Sequence, residues 1–489
     1  MQIVFVSAEV YPFSKVGGLG DVAGALPVEL ASLGVDMTVI TPAYGTINRR
    51  KFKLESSPYR FNVDIGNETI ACGLSRWQPP QNSHFQIFFI ENEFYFGSRG
   101  VYADQNGHYY SDSAQRFLLF SKAGLEAARL LNLQPAVFHC NDNHCALIPV
   151  YLKAKSREYR DFQETKTLLT LHNVGYQGIT EMSARRIYNL PDELFYPTAP
   201  LEWFGQINPL KAGILYADAI STVSPTHAIE IVTDDTMSAG LKNVLLATGK
   251  PVHGILNGVN YSEWNPTTDR YITQPYSLQT IAEKYHNKVA LMNDVGISPE
   301  YVHKPLIGLV SRLVEQKGIP ILIEALERIL KMEIAIVILG SGEAKYEQSL
   351  RRIADHHSKQ FKFNSGYNNP LSHKILAGCD IFLMPSRYEP CGITQMAALS
   401  YGTVPVIHKT GGLADTITQW NGETGNGFLF ANYSADDLVI AVSDAVSVFS
   451  NPKTWRLLQQ NGMQADFSWR QSAKQYLKLY KTLTHPAAV

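Results

Sequence analysis

The sequence predicts an α/β protein built from two doubly wound, Rossmann-like domains. Two successive alternations of short apolar strand and amphipathic helix carry that expectation, one in each half of the 489-residue chain. No low-complexity tract or short-period repeat interrupts either. The third observation is composition: 45% of residues are hydrophobic, and 43 Lys+Arg stand against 44 Asp+Glu. At roughly 150 residues per domain, this length accommodates two large domains, each able to bury its own core.

In the first half, residues 3–7 (IVFVS) form a continuous apolar run. A helical pattern through Val22, Leu26, Leu30 and Leu33 follows, then a second strand at 37–41. Further strands are expected at 137–139, 167–171 and 219–223, with a helix near 144–155. Residues 52–90 alternate with period two and read as hairpins at the sheet edge. The second alternation has strands at 306–310, 334–339, 381–384 and 404–407, and helices at 320–330 and 393–400. The turn-rich stretch 257–299, with Asn257-Gly258 and Trp264-Asn265-Pro266, reads as a linker zone. The expected domains are therefore 1–253 and 254–468, with a terminal helix at 469–489, patterned by Trp469, Tyr476 and Tyr480, packing back on the first. Open parallel sheets bind ligands at the C-terminal ends of their strands, so one interdomain cleft is the expected site.

The net charge of −1 argues against nucleic-acid or membrane-surface partners, which need a strongly basic face. Cys72, Cys140, Cys145, Cys379 and Cys391 are sparse and show no Cys-x-x-Cys pair, so they read as reduced thiols and not as metal ligands. Residues 1–8 lack the basic and long apolar regions of a signal peptide. No run approaches the roughly 18 apolar residues of a membrane span. A cytoplasmic protein is expected, or a plastid-stromal one.

Gly18-Leu19-Gly20-Asp21-Val22-Ala23 fits G-x-G-x-x-A, yet ten residues (8–17) separate it from the strand end at Ser7, and the next strand ends without an acidic ribose ligand. A dinucleotide fingerprint is therefore disfavoured. The shared physics survives, because glycines and a helix N-terminus offer N–H groups to an anion beside the cation of Lys15. An ordinary flexible loop fits the same spacing. In the second half, Gly340-Ser341-Gly342 follows a strand and precedes a helix, a placement that fits a tight connection at least as well as a phosphate contact. Arg312 and Lys317 lie five positions apart in a strand-to-helix loop, where two cations can compensate a departing diphosphate or stand as solvated surface charges.

The stretch 15–22 (KVGGLGDV) together with 385–395 (PSRYEPCGITQ) resembles the bacterial and plastid-type glycogen/starch synthase family. Matching stretches continue at 171–178 (LHNVGYQG), 211–218 (KAGILYAD), 254–259 (GILNGV), 311–318 and 409–416 (KTGGLADT), so the resemblance covers nearly the whole chain. It implies the GT-B architecture, two Rossmann-like doubly wound domains facing an interdomain cleft. It also implies transfer of glucose from ADP-glucose to the non-reducing end of an α-1,4-glucan, such as glycogen, amylopectin or a maltooligosaccharide. Retention of anomeric configuration and no metal or other cofactor are part of the same implication.

Residue by residue, the resemblance places Lys15 and the Gly17 and Gly18 amides at the donor phosphates, with Asp21 beside them. Arg312 and Lys317 would neutralise departing ADP, and Glu389 would hold hydroxyls of the donor glucose. Cys391 belongs to the same donor-binding turn, its thiol a packed group and not a nucleophile, while the amides of Gly392, Ile393 and Thr394 would meet sugar or phosphate oxygens. His172 would lie under the glucose, Asn257 would hydrogen-bond it, and Asp142 would lie near the anomeric carbon. Tyr367 would stack near adenine. Tyr95 and Tyr102, with Phe96, Tyr109 and Tyr110, are candidates for a glucan-stacking platform, although ordinary packing explains each singly. For His172 the plain alternative is a core histidine satisfied by backbone.

The chemistry is consistent with such a set. Diphosphate leaves readily, so charge compensation on the leaving side is the largest expected contribution, whereas glycosidases need a carboxylate pair that cannot be assigned here. Two departures from the family pattern stand out: Asn143 replaces the usual tryptophan, and 233–241 (TDDTMSAGL) lacks the usual glycine- and cysteine-containing pattern. The rival readings are a UDP-glucose-dependent relative and an idle glucan-binding paralogue.

Overall fold

The computed structural model of the chain describes residues 1–79, 82, 84–105 and 107–485. It falls into two compact units: Met1–Ile255 with the C-terminal segment starting at Trp469, and Leu256–Ser468. Residues 486–489 of the expected terminal helix lie outside the described residues. Among the described residues no helix is long and apolar enough to cross a membrane.

Unit 1 contains β1 (Gln2–Val6), β2 (Asp36–Pro42), β3 (Glu55–Ile65), β4 (Glu68–Trp77), β5 (Phe85–Glu91), β6 (Val137–Asn141), β7 (Lys166–Leu171), β8 (Thr180–Glu181), β9 (Glu202–Trp203), β10 (Gln206–Ile207), β11 (Ala219–Thr222) and β12 (Val252–Gly254). The main sheet has the order β12-β11-β7-β6-β1-β2-β5-β4-β3. β1 is parallel to β2 and β6, and β6 to β7. The expected edge hairpins are β3–β4 and β4–β5, both antiparallel. Ile3, Val4, Phe5 and Val6 are fully buried, as a strand covered on both faces requires.

Helix Gly18–Ser32 buries Val22, Ala23, Leu26 and Leu30 along one stripe and meets the terminal helix Trp469–Thr484. That terminal helix is anchored on β6, where the Tyr480 hydroxyl and His139 Nδ1 lie 2.6 Å apart. The helix after β6 begins only at Leu147, because residues 143–146 form turns, with the Cys145 N–H bonded to the Asp142 carbonyl.

Unit 2 contains β13 (Leu306–Val310), β14 (Ala335–Gly340), β15 (Phe361–Ser365), β16 (Ile381–Met384), β17 (Val404–His408) and β18 (Phe428–Phe430), in the parallel order β15-β14-β13-β16-β17-β18. The zone 257–299, expected as a linker, is instead packed structure within this unit and contains helix Lys284–Val295. Its buried face carries Lys284, Asn287 and Lys288 beside Leu291 and Met292, so apolar periodicity could not reveal it. Each polar group is satisfied: Lys284 Nζ donates to the Leu376 and Ala377 carbonyls and the Thr403 hydroxyl, and Lys288 pairs with Asp380 at 2.7 Å.

Candidate active site

Because β7, β6 and β1 are neighbours, the loops leaving their C-terminal ends gather His172, Asp142 and the Lys15 turn in unit 1. Lys15 Nζ lies 2.7 Å from Asp21 Oδ1, which fixes the ammonium above the first turn of helix Gly18–Ser32. Burial raises the Asp21 pKa, and the charge and hydrogen bond of Lys15 pull it back only in part. The Gly17 amide requires a correction. Its N–H donates to Glu9 Oε2 at 2.9 Å, beside that of Val16 at 2.5 Å, and so turns away from any phosphate. The Gly18 N–H makes no hydrogen bond among the described residues and heads a helix whose N-cap offers no side-chain acceptor.

Asp142 adopts a left-handed backbone, φ +55°, a conformation that residues other than glycine hold only where surroundings impose it. Its carboxylate accepts the His172 N–H at 2.7 Å and the Asn173 N–H at 3.4 Å. Desolvation nonetheless lifts its pKa to about 7, with the nearby Glu9 charge adding to the rise. His172 Nε2 lies 2.9 Å from Asn141 Oδ1, and burial holds its pKa down to about 3, so the ring is neutral. Asn143, where the family pattern has tryptophan, donates to the Tyr176 carbonyl at 3.0 Å and braces the 172–178 loop. The divergent 233–241 segment borders the same loop through Gln177 Nε2, which donates to the Ala239 carbonyl at 2.9 Å.

The tyrosine platform is only partly present. Tyr95 is 9% exposed and its carbonyl is held by Arg116, so it packs and offers no stacking face. Phe96 is fully buried. Tyr102 stacks on His144 with centroids 5.2 Å apart and donates its hydroxyl to Glu9 Oε1 at 2.7 Å, so both its ring and its hydroxyl are engaged. Tyr110 lies over the Arg116 guanidinium. Tyr109, at 79% exposure, and Phe94, at 65%, are the rings of this segment that face solvent.

In unit 2 the neighbouring strands β13 and β16 launch the two loops that matter. Lys317 Nζ meets Glu389 Oε2, which also accepts the Ser386 hydroxyl at 3.2 Å. The loops are clipped together by the Arg387 N–H on the Gln316 carbonyl at 2.8 Å. Arg312 is exposed, and its guanidinium has no partner among the described residues. Gly392, φ +72°, turns the chain into helix Thr394–Ser400, leaving the Gly392 and Ile393 N–H groups without acceptors among the described residues. Asn257 is buried and its Oδ1 has no hydrogen-bond partner among the described residues, which suits a hydroxyl donor. Tyr367 follows Gly366, φ +108°, and stands 86% exposed. The Cys391 thiol is packed, as expected: burial pushes it up to about 12, and Asn257's backbone N–H bonds it.

Sequence reasoning missed Glu9, Ser386 and Asn141. For Glu9 one signal existed, since it is the one acidic residue in the strand-to-helix loop 7–17. Ser386 and Asn141 are polar side chains at strand ends, a position shared by many residues without a role.

Residues 2–247 match the family described as starch synthase catalytic domain, and residues 293–461 match glycosyl transferases group 1. Glycogen synthase of Thermosipho melanesiensis is 42% identical over 483 residues, 98% of each chain. Glycogen synthase of Thermotoga maritima is 40% identical over 487 residues, again 98% of each. Among solved structures, the catalytic domain of starch synthase IV from Arabidopsis thaliana, bound to ADP and acarbose, superposes with a TM-score of 0.89 at 29% identity, covering 99% of both chains. A sucrose-phosphate synthase from Thermosynechococcus elongatus, at 16% identity and a TM-score of 0.58, over 99% and 98% of the two chains, shares the fold alone. These similarities agree with the GT-B fold class expected from the sequence.

Proposed function

The chain belongs to the glycogen synthase and starch synthase family of glycosyltransferases, and from that premise we propose that it moves glucose from ADP-glucose to the non-reducing end of an α-1,4-glucan with retention of configuration. The observation that carries the donor reading is the cation pair on the loop after β13, Arg312 without a partner among the described residues and Lys317 against Glu389. As the bond from anomeric carbon to phosphate oxygen breaks, negative charge collects on the diphosphate, and two cations from one loop compensate it. The ADP and acarbose of the starch synthase IV structure support an adenine nucleotide as donor moiety and a saccharide as acceptor.

The acceptor hydroxyl attacks on the face that ADP leaves, and its proton passes to the departing phosphate oxygen. In this reading the Asp142 carboxylate stabilises the positive charge that develops at the anomeric carbon, while the His172 ring, kept neutral by burial, contributes hydrogen bonding. Glu389, held by Lys317 and Ser386, orients sugar hydroxyls. The reading calls for no metal, since the loop cations offer the compensation.

The test supplies maltooligosaccharide primer with ADP-glucose or UDP-glucose, with and without a chelator, and digests the product from its non-reducing ends with an α-1,4-specific exo-hydrolase. Expected are a strong preference for ADP-glucose, an unchanged rate in chelator, and full release of the added label. Preference for UDP-glucose, or label resistant to digestion, contradicts the reading.

A further inference from the structure

Glu9 is enclosed to 2% exposure in the loop after β1, and no step of the transfer uses it. A buried carboxylate persists only where hydrogen-bond donors replace its lost water. Here both oxygens have them. Oε2 accepts the N–H groups of Val16 and Gly17, and Oε1 accepts the hydroxyl of Tyr102, 93 positions away in the chain. One oxygen therefore faces the turn that carries Lys15, and the other faces the aromatic segment after β5. Gly20 shows how closely the parts fit: a Cβ there would lie 3.0 Å from Lys15 Cγ and 3.2 Å from Glu9 Oε2.

We propose that Glu9 is a positioning residue for the donor-phosphate loop, with Tyr102 fixing the carboxylate that fixes the loop. A carboxylate repels phosphate, so Glu9 does not itself hold the donor. By drawing the Val16 and Gly17 N–H groups inward, it sets the direction in which the Gly18 N–H and the Lys15 ammonium face. Tyr102 thereby serves the donor side, although its place in an aromatic segment marked it for the acceptor. The proposal rests on the glucosyl-transfer reading above.

Glu9→Gln and Tyr102→Phe separate the possibilities. Gln keeps the shape but puts an N–H₂ group against either the loop amides or the tyrosine hydroxyl, and Phe removes a single hydrogen bond. KM for ADP-glucose, KM for primer, kcat, and the affinity for ADP alone are measured on folded protein, with melting temperatures alongside. Expected are a tenfold or larger rise in KM for ADP-glucose and in the ADP dissociation constant for Glu9→Gln. For Tyr102→Phe a rise of a few-fold is expected, with primer KM unchanged in both. A lowered melting temperature with unchanged donor KM and ADP affinity overturns the proposal, since the residue is then structural only. A primer KM that rises in Tyr102→Phe while donor KM stays constant also overturns it. Wild type is assayed with ADP-glucose and UDP-glucose in parallel. A wild type that uses neither contradicts the transfer reading and the proposal together, whereas an active wild type with unaltered variants contradicts only the role of Glu9.

Discussion

Lys317 Nζ lies 2.5 Å from the Glu389 carboxylate, and the two residues stand on loops that leave adjacent parallel strands of one sheet. Both side chains are largely enclosed, so removing the lysine leaves a buried carboxylate uncompensated. Arg312, by contrast, has no partner to strand among the described residues. Arg312→Ala is expected to lower kcat by about 10²–10³, the typical cost of losing one charge-stabilising donor, with no change in melting temperature. Lys317→Ala is expected to lose rate and stability together. Steady-state kinetics beside thermal unfolding checks the contrast.

Asp142 gives a pH dependence whose sign differs for stability and rate. Burial raises its pKa to about 7, above the 3.8 of an ordinary aspartate. Its contribution to stability is therefore complete below about pH 4 and is lost as pH rises through 7. Asp142→Asn is expected to unfold at a higher temperature than wild type at pH 8, and by a smaller margin at pH 5. Turnover should rise through pH 7 in wild type as the carboxylate ionises, and this limb should vanish in the variant. His172, held near 3, adds no limb in that range. Melting and rate profiles between pH 5 and 9 read both.

Gly318 supplies a backbone test. It has φ +73°, and a Cβ there would lie 1.8 Å from the Pro385 carbonyl oxygen, so Gly318→Ala must move the turn that carries Lys317. A loss of about 3 kcal/mol is expected from strain and clash combined. Gly17→Ala is the control, with φ −137° and no atom within 4 Å of the added carbon, and its melting temperature should stay close to wild type. Denaturant unfolding of both variants measures the difference.

Asp269 anchors unit 2 through a buried cluster of polar and aromatic groups. Its carboxylate meets His373 Nδ1 at 2.7 Å and accepts the Tyr401 hydroxyl at 2.6 Å, and Trp264 stacks on His373 at 4.0 Å. Desolvation acts to raise its pKa, and these hydrogen bonds outweigh it, leaving the group ionised below the usual carboxylate range. Asp269→Ala is expected to cost about 3–5 kcal/mol, as breaking a buried pair does. Denaturant unfolding followed by tryptophan fluorescence measures it.

Strand runs such as residues 306–310 and 381–384 were legible because parallel strands buried on both faces are continuously apolar. Helix Lys284–Val295 was not, because its buried face is built from lysines and an asparagine whose partners come from distant segments. The same limit governs the site. Lys15, Arg312, Lys317 and Glu389 were found through residue order in recognisable motifs, yet pairing is a property of strand adjacency. Nothing in the order of residues 9, 17 and 102 shows that one carboxylate joins the Gly17 amide to the Tyr102 hydroxyl. The tyrosine cluster misled for a related reason: closeness in sequence does not distinguish the exposed ring of Tyr109 from the packed ring of Tyr95.

The most direct measurement is glucan-dependent ADP release from ADP-glucose by wild type and by Lys317→Ala, each with and without a maltooligosaccharide primer. Strong primer-dependent release by wild type, reduced at least a hundredfold in the folded variant, is the expected result. Undiminished release by the variant contradicts the leaving-group role of the loop cations, and tight glucan binding without ADP release by wild type contradicts glucosyl transfer itself.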